Sequence, residues 1–149
     1  QLFSKIGMTA DWWTDEAGHA MTYCCIDATT RDFARFGLLF ARNGRWDGEQ
    51  VVPVDWVAES ITVPIGTSNQ YYALQWWVSP SGGYFYSAGL HTNNIYIFPD
   101  LDLVVVRNSL YSKIGDNSIR SGSNYHSTQA PGDWNNTEFL SYITNAITN

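Results

Sequence analysis

Charged residues, cysteines and long apolar stretches are all scarce in this chain of 149 residues. Asp, Glu, Lys and Arg make up 15% and hydrophobic residues 44%, which excludes a disordered chain, a collagen-like chain or a coiled coil. No apolar run approaches the roughly 20 residues that a membrane helix needs, so we expect no membrane span. Two cysteines cannot build the disulfide framework of a small cysteine-rich domain.

Basic residues are also few. Eight Lys and Arg stand against 14 Asp and Glu, which gives a net charge of -6 and a pI of about 4.7. Such a chain repels phosphate backbones on average, so nucleic acid is not an expected partner. The length corresponds to about one domain, large enough to bury a core.

Aromatic residues are abundant instead, with 7 Trp, 9 Tyr and 7 Phe. Large aromatic side chains fill cores and line apolar pockets. Exposed aromatic rings also stack on sugars, so a freestanding carbohydrate- or ligand-binding module is one reading of this composition.

The first clear periodicity predicts a helix over about 30–42. The chain opens like the end of a helix running into a loop, and residues 1–28 otherwise show no period and are expected to be irregular. Thr29 and Asp32 form a weak variant of a capping box, after which Phe33, Phe36 and Phe40 recur at helical spacing. Asn43-Gly44 would end this helix, and 44–48 reads as a turn.

The remaining pattern predicts an α+β fold, with an antiparallel sheet of three to four strands and flanking helices. A short helix is expected over about 53–61, where Pro53 suits a first helical position. Strands are expected from 71 to 78, 84 to 90, 94 to 98 and 103 to 107, the last buried on both faces. Residues 108–135 read as a long loop, and about 137–148 as an amphipathic terminal helix.

Self-contained catalytic motifs are missing from the sequence. It holds no Gly-x-Ser-x-Gly, no Ser-x-x-Lys, no phosphate-binding loop and no His-Glu-x-x-His. His19 with Cys24 and Cys25 is a poor zinc set, because zinc sites favour two to four residues between cysteines. We expect two small apolar residues packed before the helix, and no metal or cofactor.

The connection between the second and third of these predicted strands is rich in polar groups. Gly89, His91, Thr92, Asn93 and Asn94 bring an imidazole, a hydroxyl and two amides together within six residues. Such groups can donate hydrogen bonds to a substrate carbonyl or carboxylate, and histidine titrates near neutrality. The alternative is a polar strand segment in which Gly89 marks a bulge.

Two further sets have both a structural and a functional interpretation. Asp27, Arg31, Asp32 and Arg35 could form a charge network around the first long helix, and structural ion pairs are the favoured interpretation. Trp76 and Trp77 should point to opposite faces of a strand, one into the core and one toward a pocket. Alternation alone leaves open which is which, and we take Trp77 as the substrate-binding candidate.

Four stretches in order resemble serine hydrolases related to class C β-lactamases, especially 6-aminohexanoate-dimer hydrolase and the family VIII esterases. They are Cys25–Gly37, then Gly44–Pro53 with Trp56-Val57, then Tyr72–Trp77, and then Gly89–Ile97 with Pro99 and Leu103–Arg107. The resemblance implies the C-terminal portion of a β-lactamase/DD-peptidase-like fold, with 1–149 as one partial domain. It also implies an ester, amide or β-lactam substrate.

In that family a Ser-x-x-Lys supplies the nucleophile, and a third motif lies on the strand beside the active site. His91-Thr92-Asn93 would be this third motif, with His91 at the Lys or His position. Thr92 and Asn93 depart from the family's Gly-Gln form. The resemblance therefore implies that His91, Thr92 and Asn93 act in catalysis and that Gly89, Asn94 and Trp77 contact substrate. Without the nucleophile motif, the chain alone is expected to be inactive.

A third interpretation is an interaction domain. A homodimer, or association with a missing N-terminal part, would cover the face that such a part normally buries.

Overall fold

The computed structural model describes residues 1–81, 83–89, 92–108 and 135–148. Within them the chain forms four α-helices and eight strands. The helices are α1 Leu2–Lys5, α2 Thr30–Ala41, α3 Val54–Ser60 and α4 Asn136–Thr148. The strands are β1 Ala10–Trp12, β2 Ile26–Ala28, β3 Arg45–Trp46, β4 Glu49–Gln50, β5 Trp77–Val78, β6 Phe85–Ala88, β7 Asn94–Phe98 and β8 Leu103–Arg107.

The centre of the fold is an antiparallel sheet of four strands in the order β5-β6-β7-β8. Its register places Trp77, Tyr86, Tyr96 and Val105 in one cross-strand row. The α+β class and the antiparallel sheet are therefore as predicted. No described helix is long and apolar enough to cross a membrane.

Each face of the sheet is covered by a different helix. The aromatic stripe of α2 packs with Ile95, Ile97 and Val104 in the larger core. On the other face, Leu140 and Phe139 of α4 pack on Tyr96 and its neighbours. Because side chains alternate along a strand, one strand serves both cores.

The α2 helix forms as the sequence predicts. The Thr29 side chain accepts a hydrogen bond from the Asp32 amide at its start, and Asn43 and Gly44 have positive φ just beyond its end. Gly37 lets this helix approach the sheet, because a Cβ there would lie 2.7 Å from Val104 Cγ1 and 2.8 Å from Ile95 Cγ2. Arg42 forms a bidentate ion pair with Asp102, tying the helix end to the β7–β8 turn.

Three local predictions are wrong. Residues 1–28 are not irregular throughout, because β1 and β2 pair as a short antiparallel ribbon. The expected strand over 71–78 contains a tight turn, with Gln75 at φ 66, and only Trp77–Val78 is strand. The strand buried at every residue is β7, while β8 is half-buried throughout. Side chains of β7 belong to the cores on both faces of the sheet, and strands lie on both of its edges.

The predicted terminal helix is confirmed as α4. The expected loop over 108–135 falls almost wholly outside the described residues, and so does His91. Cys24 and Cys25 are not two separately packed apolar residues, because they form a disulfide with each other.

Candidate functional site

The candidate site is the connection between β6 and β7, where the sequence gathers its polar groups. Ala88 pairs with Asn94 at the last rung of the ladder, and the Gly89 amide donates to the Asn93 carbonyl at 2.8 Å. A Cβ on Gly89 would lie 2.5 Å from that carbonyl oxygen, so the close approach requires glycine. Thr92 has a φ of 62, a left-handed conformation unusual for a β-branched residue.

Arg107, at the end of β8, holds this connection from the neighbouring strand. Its Nη1 donates to the Thr92 carbonyl at 2.9 Å and also to the Thr92 hydroxyl. The guanidinium thus brings a permanent positive charge to the predicted third motif. Sequence reasoning missed Arg107, although a cation ending an otherwise apolar strand was a usable signal.

The Asn94 side chain is buried and hydrogen-bonds inside the protein. The residue is 3% exposed, and its Nδ2 donates to the Tyr96 hydroxyl at 2.6 Å. That hydroxyl donates to Asn136 Oδ1 at 2.5 Å, at the start of α4. The relay Asn94–Tyr96–Asn136 ties the start of β7 to the terminal helix, and sequence spacing gave no sign of it. A role for Asn94 in substrate binding stays a prediction.

The two tryptophans differ in burial. Trp76 is 5% exposed and packs in the larger core, whereas Trp77 is half-buried on β5. The Trp77 ring lies 4.8 Å from that of Tyr72, centroid to centroid. Trp77 pairs with Tyr86, two residues before Ala88 in β6, so it shares a sheet face with Asn94. The structure brings Gly89, Thr92, Asn93 and Asn94 into one connection, with Trp77 one strand away.

Tyr86 lies in the aromatic cluster on the face of the sheet that α4 covers. Burial raises the pKa of Tyr86 above its usual value, and the nearby Tyr84 and Tyr96 raise it further. Tyr86 therefore stays protonated at neutral pH and is poorly suited to act as a base.

The charge network around α2 has a structural role. The Thr29 hydroxyl donates a hydrogen bond to the Asp32 carboxylate. This bond is the main reason why the pKa of Asp32 lies below its usual value, and it outweighs burial, which raises that pKa. Arg35 Nη1 pairs with Asp32 at 2.8 Å, and the Thr9 amide also donates to it. Asp32 thus joins the start of α2 to the segment before β1. Asp27 accepts a hydrogen bond from the Trp13 indole at 2.9 Å.

Among the described residues of this connection, the Arg107 guanidinium lies against the Thr92 peptide. None of the serine hydroxyls in the described part of the chain is hydrogen-bonded to a lysine, histidine or tyrosine side chain. The described residues also contain no group of three His, Cys, Asp or Glu side chains placed to hold a metal ion. The arrangement could orient a substrate carbonyl and stabilise negative charge on its oxygen.

No family model matches the sequence, and no curated protein matches it either. Among solved structures, the chain is similar to one described as "Putative 6-aminohexanoate-dimer hydrolase from Bacillus anthracis". The two share 31% sequence identity with a TM-score of 0.57, over 68% of this chain and 29% of the other. The chain is therefore similar, in sequence and in fold, to less than a third of the length of that protein.

Proposed function

We propose that this chain is the C-terminal part of a serine hydrolase related to the class C β-lactamases. Its β6–β7 connection would form one wall of the active centre. The observation that carries the proposal is the similarity to the described hydrolase, at 31% identity and a TM-score of 0.57. The four ordered stretches that resemble the family point to the same class of protein.

The proposed reaction is acyl transfer to serine followed by hydrolysis. A serine from a Ser-x-x-Lys attacks the substrate carbonyl, and the resulting oxyanion is held by backbone amides, one of them near Thr92 or Asn93. Collapse of this intermediate breaks the substrate C–O or C–N bond with protonation of the leaving oxygen or nitrogen, and water then hydrolyses the acyl-serine to the acid and the free serine. This sequence contains no Ser-x-x-Lys, so the nucleophile would come from a preceding segment. His91 would act at the position that the family fills with Lys or His.

The observed contacts support a positioning role for Arg107. By binding both the carbonyl and the hydroxyl of Thr92, it fixes the peptide that would present the oxyanion donor. It also keeps positive charge close to where negative charge would develop. The substrate class proposed is an ester, an amide or a β-lactam.

An alternative is a ligand-binding module without catalysis. The half-buried Trp77 and its neighbour Tyr72 form an aromatic pair at the β5 side of the sheet, suited to stacking on a sugar ring. Under this reading, tryptophan fluorescence should change on titration with oligosaccharides, and no hydrolysis should accompany it.

The proposed partner of the chain is the preceding part of the same enzyme. A homodimer is the alternative, and light scattering over a range of concentrations distinguishes it through a rising mass.

The test compares the 149-residue chain with the longer product encoded when the upstream coding sequence is included. We expect a Ser-x-x-Lys upstream, p-nitrophenyl ester hydrolysis by the longer product, and none by this chain alone. In the longer product, His91→Ala should lower kcat about 100-fold, within the range for losing a general acid or base. His19→Ala is the matched control, because His19 is exposed and contacts Asp15, and it should leave kcat unchanged.

Two results would overturn the proposal. One is an upstream sequence without Ser-x-x-Lys. The other is ester hydrolysis by the isolated chain that persists unchanged in its His91→Ala variant.

A further inference from the structure

The segment between β1 and β2 contains a bulge closed by the cysteine pair. Trp13 is bonded on both sides of its peptide: its amide donates to the Cys25 carbonyl, and its carbonyl accepts from the Met21 amide, each at 2.9 Å. Trp13 thus forms both hydrogen bonds on its own strand, whereas Met21 and Cys25 form one each on the opposing strand. Residues 22–24 lie between these two partners and are the extra residues of the bulge. Cys24 closes this bulge with a turn, because its amide donates to the Met21 carbonyl at 3.2 Å.

Cys25 occupies the position where the bulge rejoins the ladder. Its φ is 70, in the left-handed region that bulges normally fill with glycine. Cysteine has a Cβ and is disfavoured there. The disulfide bond from Cys25 to Cys24 constrains the backbone of Cys25 in a way that an ordinary side chain would not.

We propose that Cys24–Cys25 is a reversible redox modification site whose reductant is a dithiol, and that its oxidation state controls the order of residues 13–25. Reduction breaks the Sγ–Sγ bond. Two electrons and two protons pass from the dithiol, which becomes a disulfide, and Cys24 and Cys25 become thiols. Cys25 then relaxes to negative φ, which turns its carbonyl away from the Trp13 amide.

The site is accessible to such a reductant. Both cysteines are only half-buried, residues 14–20 are exposed, and Tyr23 is 78% exposed. The exposed tip is held by its own contacts, in which Asp15 accepts from the amides of Ala17 and His19. When the rung at Cys25 is lost, the tip stays joined to the ribbon only through the Met21–Trp13 hydrogen bond.

The β1–β2 ribbon itself should remain paired. Three residue pairs, from Ala10 with Ala28 to Trp12 with Ile26, lie on the other side of the bulge. The Trp13 indole also donates to Asp27 at 2.9 Å. The change is thus confined to the tip, and it does not depend on the proposed hydrolase activity.

Chymotrypsin cleavage after Tyr23 reports this change, because proteolysis follows the population of locally open states. Fragments are quantified by mass spectrometry with and without dithiothreitol. Cleavage after Tyr71, which is 45% exposed and remote in sequence, is the internal reference. We expect dithiothreitol to raise Tyr23 cleavage about 5- to 30-fold, the factor that corresponds to the cost of one left-handed residue. The Tyr71 rate should stay unchanged.

Two variants without the disulfide separate the backbone effect from loss of the bond itself. In Cys24→Ser/Cys25→Gly, glycine adopts positive φ freely, so Tyr23 should stay protected with or without dithiothreitol. In Cys24→Ser/Cys25→Ser, the left-handed serine is disfavoured, so cleavage should match the reduced parent under both conditions. Both variants lack cysteine, since the chain has only these two.

Three outcomes would overturn the proposal. Two thiols could remain titratable after equilibration with oxidised glutathione, which would show that the bond does not form. Dithiothreitol could leave the ratio of Tyr23 to Tyr71 cleavage unchanged. The glycine and serine variants could also be cleaved equally fast, which would show that the conformation of Cys25 is not what the bond controls.

Discussion

Replacing Tyr96 with phenylalanine removes one oxygen atom from the interior while leaving the aromatic ring in place. Tyr96 is fully buried, and its hydroxyl accepts from Asn94 Nδ2 and donates to Asn136 Oδ1. The ring keeps its packing against Phe139, whose centroid lies 6.2 Å away. The substitution therefore tests the hydrogen-bond relay and not the hydrophobic burial.

The cost follows from what the lost hydroxyl leaves behind. Asn94 is 3% exposed, and its Oδ1 already has no hydrogen-bond partner among the described residues. Losing the partner of Nδ2 would leave a second buried polar atom of the same amide unsatisfied, at about 1–3 kcal/mol. We expect Tyr96→Phe to lower the free energy of unfolding by about 2 kcal/mol, which corresponds to roughly 4–8 °C in Tm.

Urea unfolding followed by circular dichroism measures this loss. Tyr86→Phe is the matched control, since it removes a hydroxyl from an adjacent ring of the same cluster without touching the relay. Its effect should stay below about 0.5 kcal/mol. Adding Asn94→Leu to Tyr96→Phe removes the orphaned amide and should recover part of the stability. Equal losses in Tyr96→Phe and Tyr86→Phe, or no recovery in the double variant, would refute the reasoning.

Two further substitutions test the packing and the start of α2. Gly37→Ala should destabilise the protein by up to about 2 kcal/mol. Overpacking against Val104 and Ile95 outweighs the gain of about 1 kcal/mol in helix propensity. Thermal unfolding measures the loss of stability. The pKa of Asp32 is lowered mainly by the Thr29 hydroxyl, so its contribution to stability is complete well above the ordinary value of 3.8 and is lost as pH falls through the lowered pKa. Asp32→Asn should therefore destabilise the protein at pH 7, and the difference from the parent should shrink in urea titrations toward pH 3.

Each of these has a control that could contradict it. Val104→Ala in the Gly37→Ala background makes room for the new methyl group and should restore most of the helix packing; a Gly37→Ala variant as stable as the parent would show that the sheet yields without cost. For the acid series, Glu49→Gln removes an exposed carboxylate from the β3–β4 hairpin. If Glu49→Gln changed the free energy of unfolding with the same pH dependence as Asp32→Asn, that result would contradict a specific role for Asp32.

Local signals placed several elements well. The Thr29 cap, the phenylalanine spacing and Asn43-Gly44 predicted α2 to within a residue, because each acts through contacts within one or two turns. The β7 and β8 strands were predicted with their observed bounds, since the strand preference of β-branched and aromatic residues is also read from the residues of the segment itself.

Burial and long-range contacts were beyond such signals. Two adjacent tryptophans look alike in sequence, and only the structure shows that Trp76 is buried in the core while Trp77 is half-buried in the sheet. The same applies to Arg107, which reaches Thr92 only because β7 and β8 pair in register.

What the sequence determined by itself is the kind of each element and the place where polar groups collect, because propensity, capping and turn chemistry depend on near neighbours. The tertiary structure alone decided which strand is central, which side chains meet across strands, and that Asn136 of α4 completes the Asn94–Tyr96 relay. Those outcomes depend on pairing between residues far apart in the chain, where each contact forms only once all the others are in place.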